Sequence, residues 1–199
     1  MRETILNKAM EMFLAYGFKS VTMDDIANEL GISKKTIYQH FANKNDLVEA
    51  STDYLFQTVS CGIDNIREQG KNSIEEIFII RSFMMQQLNN ESASPFYQLQ
   101  KFFPKIFSCL RAKQFEKMNG CMIENLAKGI EHGLYRPDID INFISRMYFT
   151  GLTGIKDGDV FPTDQFNAYD LTQKFLEYHL RAIATQKGVK ILEDLIKTP

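Results

Sequence analysis

Residues 31–47 read GISKKTIYQHFANKNDL, with Lys34, Lys35, Tyr38, His40 and Lys44 all preceding the first acidic residue, Asp46. The chain as a whole carries a formal net charge of -2, so this basic, hydrogen-bonding chemistry is local. At roughly 100° per residue, a helix through this stretch turns Ile37 and Phe41 to one side. Lys35, Thr36, Tyr38, Gln39 and His40 then occupy the remaining arc, and Lys34 sits in the exposed first turn. Lysine and glutamine read base edges, threonine meets a thymine methyl or a phosphate, and tyrosine and histidine donate to phosphates. Lys34 and Lys35 in one helical first turn, and Lys44 at the start of the next, face the positive end of a helix dipole. A bound polyanion reverses that penalty, because the same helix ends attract phosphate. The chemistry fits DNA.

The elements that hold this stretch are short helices. Ile5, Ala9, Phe13 and Tyr16 form a helical stripe, ended by Gly17 as a left-handed cap with Phe18 folding back on Phe13. Thr22 caps a second helix with Asp25 in a capping-box variant, and Val21 and Ile26 are spaced as a hydrophobic staple. Leu30-Gly31-Ile32 joins it to a third helix capped by Ser33, which makes a helix-turn-helix around Ile26, Leu30, Ile32, Ile37 and Phe41. Asn43 caps a fourth helix that runs to about residue 67.

Beyond it the chain is helical to its end. A helix from about residue 73 reaches residue 88, NNESASP connects it to one capped by Ser94, and Pro104 must end or kink that helix. A long helix runs to Gly133; residues 141–156 and 166–186 are two more, and a short one spans 189–197. Strand alternation is missing throughout. The expected fold is all-α, with an N-terminal three-helix DNA-binding domain over 1–47 and a helical effector-binding and dimerisation domain over 48–199.

AMEMFLAYGFKSVTMDDIANELGISKKTIYQHFANKNDL resembles the DNA-binding domain of TetR-type (tetracycline-repressor-like) bacterial transcriptional regulators. The resemblance rests on the threonine-capped second helix, the TIYQHF recognition helix and the NKNDL start of the fourth. It implies DNA contacts at Thr22, Lys34, Lys35, Thr36, Tyr38, His40 and Lys44, while Gln39 stands where such regulators vary and its role stays open. It also implies a homodimer on a pseudo-palindromic double-stranded operator. The last two long helices would form the interface, through Phe149, Leu152, Leu176 and Leu180. Gly151 and Gly154 allow close helix approach there. The same resemblance implies a repressor released by a small hydrophobic effector. The effector pocket is expected among Phe56, Phe83, Gln87, Phe103, Phe107, Met122, Asn125 and Phe149, with Gln87 and Asn125 as orienting polar groups.

Composition narrows the alternatives. With 44% hydrophobic and 24% charged residues the chain reads as an ordinary globular protein. Its N-terminus has no secretory signal, and no apolar run approaches the roughly 18 residues of a membrane span. A cytoplasmic protein without membrane association is expected. Cys61, Cys109 and Cys121 read as buried, reduced thiols. An enzyme using the helical pocket has little support: His40, His132 and His179 are scattered without a ligand set or triad, and no cofactor motif or metal site is evident. Residues 157–159, DGD, lack the remaining ligands of a calcium loop and read as an Asx turn. A helix-turn-helix that binds a protein partner is the other alternative, disfavoured by the acid-free arc.

Overall fold

The computed structural model describes residues 1–87 and 94–197. In chain order the described helices are α1 Arg2–Tyr16, α2 Met23–Leu30, α3 Lys34–Tyr38, α4 Lys44–Arg67, α5 Ser73–Gln87, α6 Ser94–Phe102, α7 Pro104–Glu131, α8 Ile141–Gly154, α9 Ala168–Ile183 and α10 Gln186–Lys197. The fold is all-α; among the described residues the extended pairing is a single antiparallel bridge, Tyr135 with Ala184. The connection read at 89–93 lies outside the described residues, as do the side chains on which the Ser94 cap and Pro95 rest.

The chain divides into two compact units, Met1–Cys61 with Glu91–Gln114, and Gly62–Asn90 with Phe115–Pro199. These packing units are drawn differently from a functional division at residue 47: α6 and the first turns of α7 pack with the N-terminal helices.

In the first unit Ile5, Ala9, Phe13, Ile26, Ile37, Leu47 and Leu99 are fully or almost fully buried in one cluster. Tyr16 is a correction to the α1 stripe. It is the last residue of α1 and is 68% exposed. Gly17 takes φ 89° and ψ 148°, not a left-handed helical cap, but equally a conformation that suits glycine. A side chain there would also collide with the amide of Gln98. Phe18 stacks on Phe13 at 5.0 Å between ring centroids, as the fold-back predicts.

The second unit buries Ile74, Ile77, Leu126, Tyr135, Leu176, Leu180 and Leu192 around α5, the C-terminal part of α7, and α8 to α10. Its helix ends carry side-chain caps: Asn72 accepts from Ile74 and Glu75, Asp140 from Phe143, and Asn167 from Tyr169 and Asp170. The helix expected over 166–186 is therefore shorter. It starts after the Asn167 cap and stops where Ala184 turns extended, and Thr185 opens α10 by accepting from Gly188. Asp159 donates its backbone N–H to the Asp157 carboxylate at 2.9 Å, the Asx turn expected of DGD. The cysteines depart from expectation. Cys61 and Cys109 are exposed, because they lie on helix faces turned from the cores. Cys121 is half-buried 3.6 Å from the Arg67 guanidinium, and burial pushes its thiol pKa up despite that charge.

Candidate nucleic-acid interface

The turn between α2 and α3 is fixed by its own short-range bonds. Thr22 N–H and Thr22 hydroxyl both donate to the Asp25 carboxylate at 2.8 Å, and Asp25 N–H returns to the hydroxyl at 3.2 Å. Those two Thr22 donors hold the Asp25 carboxyl below its usual range, with Lys44 adding a smaller pull. Gly31 sits at φ 63° and ψ 29°, the left-handed turn that reverses the chain between the two helices. Ser33 then starts α3, accepting from Thr36 N–H at 3.1 Å while its hydroxyl meets that of Thr36 at 2.8 Å.

From this base Ile37 and Phe41 point into the core, at 0% and 4% exposure. Lys34, Lys35, Tyr38, Gln39 and His40 are all exposed, while Thr36 is half-buried beside its Ser33 partner. α3 itself ends at Tyr38, so Gln39 and His40 stand in the closing turn rather than on the helix. Thr22 is exposed at the head of α2, with its hydroxyl already engaged by Asp25.

The three lysines differ. Lys35 extends from the exposed arc of α3. Lys34 reaches back to Asp24 of α2 at 2.7 Å, a solvent-facing pair that raises its pKa and contributes little to stability. The arc carries no acid of its own, but α2 lends it one. Lys44 is half-buried: its ammonium donates to the Lys19 carbonyl at 2.9 Å and lies 6.0 Å from the centre of the Phe103 ring. Burial lowers its pKa, against the opposing attraction of Asp25.

Lys19 was not among the sequence candidates. Its backbone N–H donates to Gln98 at 3.0 Å and its ammonium lies 4.4 Å from the centre of the Phe102 ring. This adds a cation beside Lys44 that only the packing of α6 reveals. The hint in the sequence is slight, a lysine two residues after a helix-ending glycine.

The residues expected to take an effector fall in both units. Phe56, Phe103 and Phe107 are half-buried against the first core. In the second, Met122 and Phe149 are buried, Phe149 edge-on to Phe115 at 5.1 Å, and Phe83 rests on Gly62, where any side chain would strike its ring. Gln87 is half-buried near the end of α5. Asn125 is buried with its amide committed inside the unit. It donates to Ser73 carbonyl at 2.9 Å and Glu76 at 2.8 Å, and accepts from the Tyr135 hydroxyl at 3.1 Å. As an orienting group for a ligand it would have to give up one of these bonds.

The expected interface residues need correction. Leu176 and Leu180 are 1% and 0% exposed within the single chain, so they offer no surface to a second copy. Leu152 is half-buried against the same core, and Gly151 admits the Phe175 ring of α9 in its own chain. Phe143 and Met147 of α8 and Tyr178 of α9 are the outward apolar side chains, at 57%, 46% and 74% exposure. Period 3.6 shows that a helix has a broad apolar face but not which part of it the neighbouring helix covers. Among the described residues no group of three His, Cys, Asp or Glu is placed to hold a metal ion, and no helix is long and apolar enough to cross a membrane.

The family described as "Bacterial regulatory proteins, tetR family" matches residues 5–51, which span α1 to the start of α4. The HTH-type transcriptional repressor KstR2 of Mycobacterium tuberculosis is 27% identical over 194 residues, covering 94% of this chain and 94% of that protein. The solved structure of that ketosteroid regulator superposes with a TM-score of 0.62 at 21% identity, covering 93% of this chain and 95% of the other. A TetR-family regulator from Agrobacterium tumefaciens shares the fold at a TM-score of 0.74 and 17% identity, over 92% and 97% of the two chains. The helix-turn-helix geometry and the family match fall on the same residues, so residues 5–51 form a DNA-binding domain of the tetR family, and the chain is similar along nearly its whole length to a transcriptional repressor.

Proposed function

We propose that the protein is a cytoplasmic repressor that binds a pseudo-palindromic operator as a homodimer and leaves it when a small hydrophobic effector binds. Residues 1–47 read the DNA, and 48–199 sense the effector and dimerise. The observation that carries the DNA-binding reading is the exposed arc of Lys34, Lys35, Tyr38, Gln39 and His40 over a buried Ile37 and Phe41. Lys35 and Gln39 address the major groove, and Lys34, Tyr38, His40, Thr22, Thr36 and Lys44 address phosphates, in keeping with their side-chain chemistry. Similarity to a repressor along nearly the whole chain supports repression over activation.

Two copies meet through α8 and α9, whose outward apolar residues Phe143, Met147 and Tyr178 support a two-fold interface there. A dimer reads half-sites about one DNA turn apart, roughly 34–36 Å, so a small change in the separation of its recognition helices releases the operator. Effector and operator then weaken each other's binding by the same factor, typically about 5- to 150-fold. The protein acts by binding and not by catalysis.

The test selects an operator from a random duplex library and measures affinity against salt concentration. A steep inverse dependence and a two-fold symmetric consensus are expected. No selection above random DNA would refute the reading and favour a protein partner for the helix-turn-helix.

A further inference from the structure

The interior of the second unit holds a cation that no carboxylate among the described residues neutralises. Arg81 of α5 is 8% exposed, and among the described residues it forms no ion pair. One guanidinium N–H donates to the Tyr169 carbonyl at 3.3 Å, the Tyr169 ring lies 4.4 Å away, and Nε has no partner. The same unit pairs its other buried charge: Glu76 accepts from Asn125 at 2.8 Å with Lys128 3.8 Å away. A buried charge is costly unless it is paired and hydrogen-bonded, and one backbone carbonyl with an aromatic face leaves Arg81 incompletely matched.

A second polar group in this interior is also unmatched. His179 of α9 is 7% exposed and its Nε2 has no partner. Its ring lies 5.0 Å from Tyr148 and 5.9 Å from Phe175, which are themselves 5.9 Å apart. Both polar groups meet α9, His179 as one of its residues and Arg81 through the Tyr169 carbonyl in its first turn, while Tyr148 of α8 packs on His179. Burial keeps His179 neutral near pH 7, so it brings a hydrogen-bonding nitrogen without a second positive charge. The Tyr169 ring beside Arg81 is 48% exposed, which puts the cation one side chain beneath the surface.

We propose that Arg81 anchors the anionic group of an amphiphilic effector, with His179 offering its unpartnered nitrogen and Tyr148, Tyr169 and Phe175 packing on the apolar body. This rests on the effector-responsive reading above and names the ligand class: a hydrophobic acid, with one negative group on an apolar frame. The guanidinium is suited to a carboxylate because its fork matches two oxygens at once. The aromatic surroundings exclude a ligand that is polar throughout.

Calorimetry on the full chain with decanoate and uncharged decan-1-ol tests the assignment, since the two probes differ only in the head group. Decanoate should bind about tenfold tighter or more, the scale of a charge-assisted hydrogen bond. Arg81→Gln should abolish that preference while leaving decan-1-ol affinity in place, and Arg81→Lys should keep part of it. His179→Gln, with its fold checked by circular dichroism, should weaken decanoate more than decan-1-ol. Equal affinities in the wild-type chain, binding of neither probe, or a preference that survives Arg81→Gln would each overturn the proposal. The wild-type comparison decides the matter even where a variant does not fold. Operator selection reports separately on the regulator reading, which survives an uncharged ligand preference and falls only with DNA binding itself.

Discussion

Lys44→Ala should weaken binding to every DNA sequence and flatten its salt dependence. The ammonium has three donors, and one is spent on the Lys19 carbonyl at 2.9 Å. Two remain for a phosphate, so this lysine can hold DNA without leaving its place on the protein. Half-burial beside Phe103 restricts its motion before DNA arrives, which reduces the ordering cost of contact. Each phosphate contact contributes about 0.9 to the slope of log affinity against log salt. A dimer loses two, so the slope should fall by about 1.8, and the wild-type advantage should shrink roughly twelvefold between 50 and 200 mM salt.

Gel shifts over that range, on the selected operator and on random duplex of equal length, make the measurement. Lys35→Ala is the counterpart: it should cost about 1–3 kcal/mol mainly on the operator, at one base position. An unchanged slope for Lys44→Ala, or a loss confined to the operator, would refute the phosphate assignment. Equal loss on both DNAs for Lys35→Ala would refute base reading by that residue.

Thr22→Ala should lower the melting stability by about 1 kcal/mol through the lost cap of α2. Asp25 adds a pH signature: its folded pKa is depressed, so its contribution is present above the unfolded carboxylate range and disappears as pH falls through the folded value. Acid titration of wild type against Asp25→Asn reads that loss, and parallel curves would refute it. Tyr178→Arg should leave a folded monomer with weak operator binding, whereas Leu176→Arg should unfold the second unit at a cost of several kcal/mol, as for any unpaired buried charge. Sedimentation and circular dichroism separate the two, and a dimeric Tyr178→Arg would refute the α8–α9 interface. Burial holds His179 at a pKa of about 4, below its ordinary 6.5. The unfolded chain therefore takes up the proton first, and stability on the order of 3 kcal/mol is present above pH 6.5 and lost as pH falls towards 4. Denaturant melts of wild type and His179→Phe across this window should diverge accordingly, and an equal pH response would refute a buried neutral ring.

The DNA-reading end of this protein was legible from the residues alone because its determinants are short-range. Thr22 with Asp25, Gly31, Ser33 with Thr36 and Asn43 with Asp46 each act within three or four residues, and a cap or a left-handed turn is specified by those types at those spacings. Ile37 of α3 and Phe41 just beyond it likewise announced the buried side of this segment by their separation of four. What lies across sequence distance was not legible. Gln98 reaches Lys19 over 79 residues, and Arg81 reaches Tyr169 over 88, so no local pattern marks either pair. The interior positions of Leu176 and Leu180, the solvent-facing Tyr178 and the commitment of Asn125 to Ser73, Glu76 and Tyr135 were likewise decided by packing. The physical reason is that periodicity tells how an apolar face is oriented about its own helix axis, while the neighbour that covers it is chosen by the whole chain's competition for buried area and satisfied hydrogen bonds.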